Sequence, residues 1–503
     1  MAKYKSYDYA QMVMVPVSLE RQLRPGTLEF AIHALVQRRM DMSIFERIYH
    51  HDETGSPAYA PKVLLKGVLF AYSRGIISSR NIEQACRENM TFMALSCGML
   101  PDHSTIAAFI SSMKEEIISL FRDILLVGEA QGLLGGTHFA LDGLKLSSKA
   151  AKEWSGTFAD LRQKKEKLGQ KVKTLLAEHT RADQEGETSS TAEQDKVHEQ
   201  IQRLEQQAAR IEKFLTENEP KRGKRGKALQ SNVTANDSAK MQTAHGVMQG
   251  YNGQALVDAN HQVILHAEAF GNGQDDGHVA PMLEGAKGNG TAIGLAQNYF
   301  EGKRFSADSN YHREANLTTC VQEQLEAYIP DPHFRQRDPR FASQERHKPH
   351  PPEKFTREDF THDKEHDCYG CPNDKVLKLE ARRHQIGNNL YRRDEADAAD
   401  CAVCPLREKC LQNAETRCTH LAVFVEPAHA TLSQQMIAKI DTPEAREIDG
   451  QRLAIGEPVL GNIRSQKRLD RFPLRSKIKV NMQWMLYGMV HNIEKLLNYG
   501  MAV

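Results

Sequence analysis

Apolar residues recur with helical spacing along the first quarter of the chain. In residues 28–35 and 61–73 they fall at i, i+3 and i+4 positions, a period that predicts amphipathic helices. Asp102 stands just before another such run, where an accepting side chain caps a helix. We predict a helical N-terminal domain over residues 1–130. Its short helices fit a helix-turn-helix, and a helical packing or dimerisation domain is an equal alternative.

The hydrophobic pattern changes from helical to strand-like after residue 130. Two short segments, 138–143 and 304–309, carry strand-forming residues that run into an aspartate and then into small or polar residues. The order of strands and helices predicts a mixed sheet flanked by helices, formed by residues 131–151 and 231–335. The other predicted elements are strands at 250–258, 262–267 and 326–329 and helices at 278–286 and 314–324.

An insertion of different composition separates these strands. Leucine, isoleucine and valine recur every three or four positions between residues 161 and 215, amid lysine, glutamate, glutamine and arginine. We predict an inserted helical hairpin over residues 152–230, with two antiparallel helices joined by the polar stretch 181–191. The basic run 220–227 closes the insertion, either as a flexible strap for phosphates or as a solvated linker.

The overall charge gives no reason to expect a nucleic acid partner. Lysine and arginine number 66, and aspartate and glutamate 65, so any basic surface must be local. The N-terminus lacks the apolar run of a signal peptide. The most apolar stretch, 63–78, is interrupted by Lys66 and Arg74 and makes a poor membrane span. We therefore predict a cytoplasmic protein with no membrane partner.

Asp142 and Asp308 are candidate ligands of a metal ion. Each follows a strand-like segment, and α/β sheets bind their ligands beyond the carboxyl ends of strands. Two converging carboxylates suit a hard cation such as Mg²⁺. Aspartate before glycine or serine also caps turns, which is the alternative for either residue alone. Asp258, at another predicted strand end, is interpreted as structural.

A third carboxylate, Glu457, lies in a basic setting near the C-terminus. Arg452 and Arg464 flank it within about two helical turns. Phosphodiester chemistry needs such a mixture, because carboxylates hold Mg²⁺ and basic side chains hold phosphates. The alternative is a solvated amphipathic helix with ordinary i,i+4 pairs. Further basic residues follow in this stretch: Lys467, Arg468 and Arg471.

Six of the nine cysteines lie within residues 368–418. In a reducing compartment such a cluster indicates metal ligands before disulfides, and two CxxC pairs complete a closed tetrahedral zinc site. We predict a zinc-ribbon-like insertion over residues 336–425 that holds structural Zn²⁺. Its predicted ligands are the two CxxC pairs, with two further cysteines as substitutes: Cys368, Cys371, Cys401 and Cys404, and Cys410 or Cys418.

Taken together, these segments resemble the DDE transposases of bacterial insertion sequences, in the branch with a helical N-terminal domain and a cysteine-rich insertion. Residues 139–145 resemble the first-aspartate segment of that family, and residues 307–311 resemble the second. The stretch 442–464, which contains Glu457, is similar to the final-glutamate segment. Residues 102–105 and 249–252 also fit positions that the family fills in this way.

This resemblance implies a multidomain α+β and α/β protein with a ribonuclease-H-like catalytic core. Asp142, Asp308 and Glu457 would bind two Mg²⁺ or Mn²⁺ ions per active site. The last of these acids would lie on a C-terminal helical segment, residues 426–503. The N-terminal helices would serve in DNA binding or dimerisation.

The resemblance also implies a function, namely a DNA transposase that binds the inverted-repeat ends of its insertion sequence. It would cleave strands with Mg²⁺ and transfer them to target DNA, as a nucleoid-associated homodimer on double-stranded DNA. Two alternatives stay open: a nuclease of the same fold without joining activity, and a catalytically inactive, zinc-stabilised DNA-binding regulator. The predicted phosphate contacts are Lys145, Arg452 and Arg464 near the acids and Lys467, Arg468 and Arg471 along a DNA track.

Overall fold

The structure is a computed structural model and forms two compact units. One unit comprises Met1–Ile329 and Glu447–Val503, and the other comprises Pro330–Arg446. None of the helices in the described part of the chain is long and apolar enough to cross a membrane. The described residues are 17–48, 58–114, 116–184, 191–223, 226–243, 246–275, 277–347, 354–386, 389–411, 413, 415–424 and 431–500.

In its described residues, the first unit begins with seven α-helices, as the apolar period predicts. Asp102 caps the sixth, because its Oδ1 accepts hydrogen bonds from the backbone N–H groups of Ser104 at 2.8 Å and Thr105 at 3.0 Å. The helices pack into the same hydrophobic core as the sheet that follows them. Their bounds are α1 Leu19–Gln22, α2 Leu28–Arg38, α3 Pro61–Ser73, α4 Ser79–Glu88, α5 Met90–Leu95, α6 His103–Ser112 and α7 Glu116–Ala130.

A seven-stranded mixed sheet forms the centre of the unit. Its strands are β1 His138–Ser148, β4 Ala239–Thr243, β5 Gly246–Asp258, β6 Ile264–Phe270, β7 Arg304–Ala307, β8 Glu326–Tyr328 and β14 Arg471–Phe472. The order is β4-β5-β1-β7-β8, with β6 paired to β5 and β14 paired to β1. β1, β7 and β8 run parallel, whereas β5 is antiparallel to β1. The predicted mixed α/β architecture with a helical N-terminal region is thereby confirmed.

Three helices pack beside the sheet: α10 Val279–Ala292, α11 Glu314–Gln322 and α17 Lys477–Tyr499. Within α17, the indole Nε1 of Trp484 donates a hydrogen bond to the carbonyl of Gln254 at 2.8 Å. Gly253 permits this approach, because a Cβ there would lie 2.9 Å from the Trp484 ring. The last helix is thus seated directly on β5.

The predicted helical insertion is present as α8 Phe158–Gln184 and α9 Thr191–Glu217. Lys165 near the start of α8 pairs with Glu212 near the end of α9 at 2.5 Å, so the two helices are antiparallel. Apolar side chains, including Leu161 and Ile211, bury each other at the base of the hairpin. Two short strands, β2 Ser155–Gly156 and β3 Ser231–Asn232, pair at the same end.

The second unit is built on a five-stranded antiparallel sheet that the sequence did not predict. Its small core contains Tyr369, Leu377, Ala396, Leu421 and Val423. The bounds of the strands are β9 Thr361–Asp363, β10 Cys368–Gly370, β11 Val376–Ile386, β12 Asn389–Glu395 and β13 His420–Phe424. They lie in the order β13-β12-β11-β10-β9. The helices are α12 Phe334–Arg337, α13 Ala398–Ala402, α14 Arg407–Cys410 and α15 Leu432–Ile440.

One further helix, α16 Pro443–Gly461, begins in the second unit and ends in the first. A single π-helical turn, Asn462–Gln466, continues it. The part of α16 that lies in the first unit carries Arg452 and Glu457. This helix therefore brings the third candidate acid to the unit that contains the other two.

Candidate active site

Asp142 lies inside strand β1, which differs from the predicted strand end. Pairing with β5 continues from Phe139 to Ser147 without a break at the aspartate. The strand continues because Gly143 packs against β5 instead of turning the chain. A Cβ at Gly143 would lie 2.2 Å from Nε2 of Gln254, so only glycine leaves room for that amide. The predicted turn after Asp142 is therefore wrong.

Asp308 stands beside Asp142 at the end of a neighbouring parallel strand. Leu141 and Ala307 are register partners in β1 and β7. Asp142 is the next residue of β1, and Asp308 is the first residue after β7. Asp308 also caps the short 3-10 helix Ser309–Tyr311, since its Oδ1 accepts a hydrogen bond from the backbone N–H of Asn310 at 2.9 Å. The turn-cap alternative is thus observed for Asp308, and the cap leaves its carboxylate partly exposed.

Glu457 is brought to the aspartates by the glycine that precedes it. A Cβ at Gly456 would lie 3.1 Å from the Cβ of Asp142 and 3.3 Å from its Oδ2. Helix α16 therefore touches strand β1 at Asp142. Glu457 is the next residue of the helix and is exposed, so its carboxylate is accessible to a ligand from solution.

The three acids form one electrostatic cluster. Burial, together with the negative charges of Asp308 and Glu457, raises the pKa of Asp142 to about 6. The Gly143 N–H, which donates to Asp142 Oδ1 at 2.8 Å, acts in the opposite direction. Burial also raises the pKa of Asp308. Carboxylates held together against their mutual repulsion are the oxygen ligands that Mg²⁺ and Mn²⁺ prefer.

Arg452 is a cation whose charge acts on this cluster. Its side chain is buried, with 8% of the residue exposed, and its Nε lies 3.6 Å from Oδ1 of Asp449. Its positive charge lowers the pKa of both Asp142 and Asp308. Arg452 therefore partly neutralises the acids from inside the fold.

The other predicted DNA contacts divide into exposed and buried groups. Arg464, Arg468 and Arg471 are exposed along the segment that follows α16. Lys467 lies among them in sequence but is fully buried, with 0% of the residue exposed. Its ammonium donates to Oε2 of Glu494 at 2.6 Å and to Oδ1 of Asn462. The structure therefore does not expose Lys467 as it exposes the three arginines.

Lys145 is separated from Asp142 by the sheet itself. Successive residues of a strand point to opposite faces, so positions 142 and 145 of β1 lie on different sides. Lys145 Nζ lies 3.5 Å from Oδ2 of Asp275, a buried carboxylate that the sequence analysis missed. Asp275 precedes α10 in a stretch with no apolar period, so no pattern marked it.

Asp258 has the structural role that the sequence suggested. It is fully buried, and its carboxylate accepts hydrogen bonds from the backbone N–H groups of Gly135 at 3.2 Å, Gly136 at 3.0 Å and Asn260 at 2.8 Å. These bonds hold the loop before β1 against the end of β5. Asp258 is therefore occupied as an anchor and lies outside the acid cluster.

Four cysteines of the second unit line one pocket: Cys371, Cys401, Cys404 and Cys410. Burial raises the pKa of the Cys410 thiol, and the proximity of the other three thiols raises it further. Cys368 of the predicted set lies in β10 and is not among the residues that line this pocket. The geometry thus favours Cys410 in place of Cys368, a substitution that the sequence had left open.

Cys418 belongs to a different group of side chains. Its thiol donates to Oε1 of Glu395 at 3.0 Å, and ligand atoms of Cys418, Glu395 and His420 all lie within 4.8 Å of one another. The guanidinium of Arg393 lies 3.1 Å from Nδ1 of His420. A cation beside this histidine opposes metal binding by the group, and Cys418 does not line the pocket of the other four thiols, so it is a poor substitute ligand.

Two family models match the chain. Residues 370–497 match the model described as Transposase DDE domain, and residues 17–112 match the model described as Transposase domain (DUF772). No curated protein matches the chain. The first match includes Glu457 and all but the last two residues of helix α17, and the second includes the helices from α1 to α6. Both are transposase domains, as the resemblance drawn from the sequence implied.

Proposed function

We propose that this chain, identified by its two family matches as an insertion-sequence DDE transposase, acts on the ends of its own mobile element. It binds the inverted-repeat ends in double-stranded DNA, cleaves there with a divalent metal, and joins the 3′ ends to target DNA. The observation that carries this proposal is the convergence of Asp142, Asp308 and the Gly456–Glu457 pair from separate elements of one unit.

Asp142, Asp308 and Glu457 are the proposed ligands of two Mg²⁺ or Mn²⁺ ions. Such ions, when bound, activate the attacking hydroxyl and stabilise the leaving oxygen of the phosphodiester. Hydrogen bonds within the chain hold these ligands in place before a metal ion binds. Gly143 N–H fixes one oxygen of Asp142, and Asn310 donates to both oxygens of Asp308, at 2.9 and 3.0 Å. Carboxylates oriented in advance lose little freedom when a cation arrives.

The proposed DNA track is the exposed set Arg464, Arg468 and Arg471. A guanidinium binds phosphate through paired hydrogen bonds, so these side chains would hold the strand next to the acids. Arg452 contributes positive charge at the acids themselves. Lys145 and Lys467 are left out of this surface because their ammonium groups are paired with Asp275 and with Glu494.

The remaining parts have proposed roles of their own. The mixed sheet is the ribonuclease-H-like core, and the N-terminal helices bind DNA or a second subunit. Two element ends need two active sites, so the working form is a homodimer on DNA. The second unit holds structural Zn²⁺, for which four thiolates form a closed tetrahedral site. The geometry favours Cys371, Cys401, Cys404 and Cys410 as the ligands.

The test is strand cleavage and joining on linear DNA that carries one end of the element, with Mg²⁺ and a supercoiled target. Asp142→Asn, Asp308→Asn and Glu457→Gln should each abolish cleavage and leave DNA binding intact, because each removes a charged metal ligand. Glu447→Gln is the matched control, since Glu447 is an exposed carboxylate on the same helix. Cleavage that survives all three changes would overturn the site.

The same assay separates the proposal from its two rivals. A nuclease of this fold would cleave the end but leave no joined product. A regulatory protein would bind the end in a mobility-shift assay and never cleave it. Joined products from the unmodified chain, lost in the three acid variants, are the result that the proposal predicts.

A further inference from the structure

Asp275 is a buried carboxylate whose role the proposed reaction does not explain. Only 6% of the residue is exposed. Its Oδ1 accepts hydrogen bonds from the side-chain amides of Asn252 at 2.6 Å and Gln254 at 2.9 Å. Lys145 lies 3.5 Å from the other oxygen. A buried charge is costly unless it is paired and hydrogen-bonded, and here the pairing comes from strands β1 and β5.

The hydrogen bonds lead from Asp275 to the turn that carries Asp308. Gln254 donates through its amide nitrogen to Asp275 and accepts at its Oε1 from the hydroxyl of Tyr311. Tyr311 ends the short helix that Asp308 caps. Its backbone N–H donates to the carbonyl of Asp308 at 3.1 Å. Asp275 is therefore joined to Asp308 through two side chains and one backbone bond.

A second route joins the same two segments. The backbone N–H of Gly277 donates to Oδ1 of Asn316 at 3.2 Å, and Nδ2 of Asn316 donates to the carbonyl of Tyr311 at 2.9 Å. Asn316 is buried, with 1% exposed. The loop that holds Asp275 and the turn that holds Asp308 are thus connected on both sides of Tyr311.

The carboxylate of Asp275 determines which group donates and which accepts in each hydrogen bond of this chain. An ionised aspartate only accepts hydrogen bonds, so Gln254 must turn its amide nitrogen toward Asp275 and its oxygen toward Tyr311. An asparagine at 275 can donate as well as accept, and Gln254 would lose its fixed orientation. Lys145 balances the charge of Asp275, which limits the repulsion that this carboxylate adds to the acid cluster.

We propose that Asp275, paired with Lys145, is a positioning residue that orients Gln254 and Tyr311 and so fixes the metal-binding carboxylate of Asp308. This inference rests on the proposed function because it takes Asp308 as a metal ligand. Partners that orient metal ligands are worth about 10- to 100-fold in metal affinity. Loss of Asp275 should therefore weaken metal binding without removing a ligand.

The experiment is a titration of the full chain with Mn²⁺ alone, followed by electron paramagnetic resonance of the free ion. We expect Asp275→Asn to raise the dissociation constant about tenfold. Tyr311→Phe should raise it similarly, although it changes no charge, because it cuts the same chain of bonds. The double variant should bind Mn²⁺ as well as either single variant, because both substitutions interrupt the same chain of hydrogen bonds. Asp308→Asn should lose this binding altogether.

The matched control is Asp237→Asn. Asp237 accepts hydrogen bonds at both oxygens, from the Tyr251 hydroxyl at 2.7 Å and from the backbone N–H of Lys477. Asparagine has one accepting oxygen, so the variant loses one of these bonds, and neither belongs to the chain of bonds that leads to Asp308. Mn²⁺ affinity should then be unchanged. An equal loss in this control would mean general loosening of the sheet and would overturn the proposal. If Asp275→Asn does not fold, wild-type affinity in folded Tyr311→Phe overturns it equally.

Two other outcomes separate this inference from the function on which it rests. Abolished binding in Asp275→Asn with normal binding in Tyr311→Phe would make Asp275 a direct ligand and refute the positioning role. Unchanged Mn²⁺ binding in both variants of a chain that cleaves DNA also refutes it. A wild-type chain that neither binds Mn²⁺ nor cleaves element ends would instead refute the proposed function.

Discussion

The Cα of Gly456 packs so closely against Asp142 that a side chain at position 456 would crowd the aspartate. A Cβ at this position would come within 3.1 Å of the Cβ of Asp142, closer than ordinary van der Waals contact. The contact joins α16 to the middle of β1. Glycine inside a helix lowers stability. The benefit of Gly456 must therefore be that it allows helix α16 to approach Asp142 closely.

Replacement of Gly456 should therefore separate stability from activity. Gly456→Ala gains about 1 kcal/mol of helix propensity, yet the new methyl group displaces Asp142 from its neighbours. We expect cleavage to fall at least tenfold while thermal unfolding shifts little. Gly461→Ala is the control, because an added Cβ at the end of the same helix meets no atom within 4 Å. Equal cleavage by both variants would contradict the role given to this contact.

The salt dependence of DNA binding should distinguish exposed from buried basic residues. Arg471→Ala removes one proposed phosphate contact and should lower the slope of log affinity against log salt by about 1. Lys467→Met should leave the slope unchanged because its ammonium is already paired with Glu494 inside the fold. Fluorescence anisotropy over a series of salt concentrations measures both. A slope that falls in Lys467→Met would place that side chain on DNA.

Zinc content should identify the ligands among the cysteines. Cys410→Ser should reduce the bound zinc of the purified chain, because Cys410 shares a pocket with three other thiols. Cys368→Ser and Cys418→Ser should keep it, since neither residue lines that pocket. Elemental analysis of the full chain gives the ratio directly. Loss of zinc in Cys368→Ser with retention in Cys410→Ser would restore the two CxxC pairs as the ligand set.

Acid should destabilise the first unit through His138. Burial lowers the pKa of His138 from 6.5 to about 4, and its Nε2 lies 2.8 Å from the Ser306 hydroxyl. A depressed folded pKa favours the neutral ring, so this contribution is complete above pH 6.5 and is lost as the pH falls toward 4. It amounts to at most about 3 kcal/mol.

Unfolding free energy measured against pH checks this origin of the acid sensitivity. His138→Gln should make the curve less steep between pH 6.5 and 4, because the imidazole at 138 no longer takes up a proton there, while the buried His491, whose pKa is lowered to about 3, keeps its own share of the slope. His198→Gln, on the exposed face of α9, should leave the curve as it is. If His138→Gln also leaves the curve unchanged, the acid sensitivity has another source.

Local pattern was enough for most of the elements in the first unit. The helical period before residue 130, the hairpin of β5 and β6 and the inserted helices α8 and α9 all lie where it predicts. The five strands of the second unit were missed because the two longer ones, β11 and β12, consist mostly of polar residues, and the other three have five residues or fewer. The turn predicted after Asp142 was wrong because glycine is typical of turns, and no local pattern showed that Gly143 lies inside a strand.

The sequence by itself determined the residue types and their spacing: three acids, six clustered cysteines and a basic stretch near the C-terminus. Spacing specifies the face of an element but not what covers that face. Only the tertiary structure decided that Lys467 is buried while Arg468 is exposed, and that Asp275 lies behind Asp308. It also brought Gly456 to Asp142 across more than three hundred residues of chain. The physical reason is that burial and convergence depend on packing between elements distant in sequence, which no local period records.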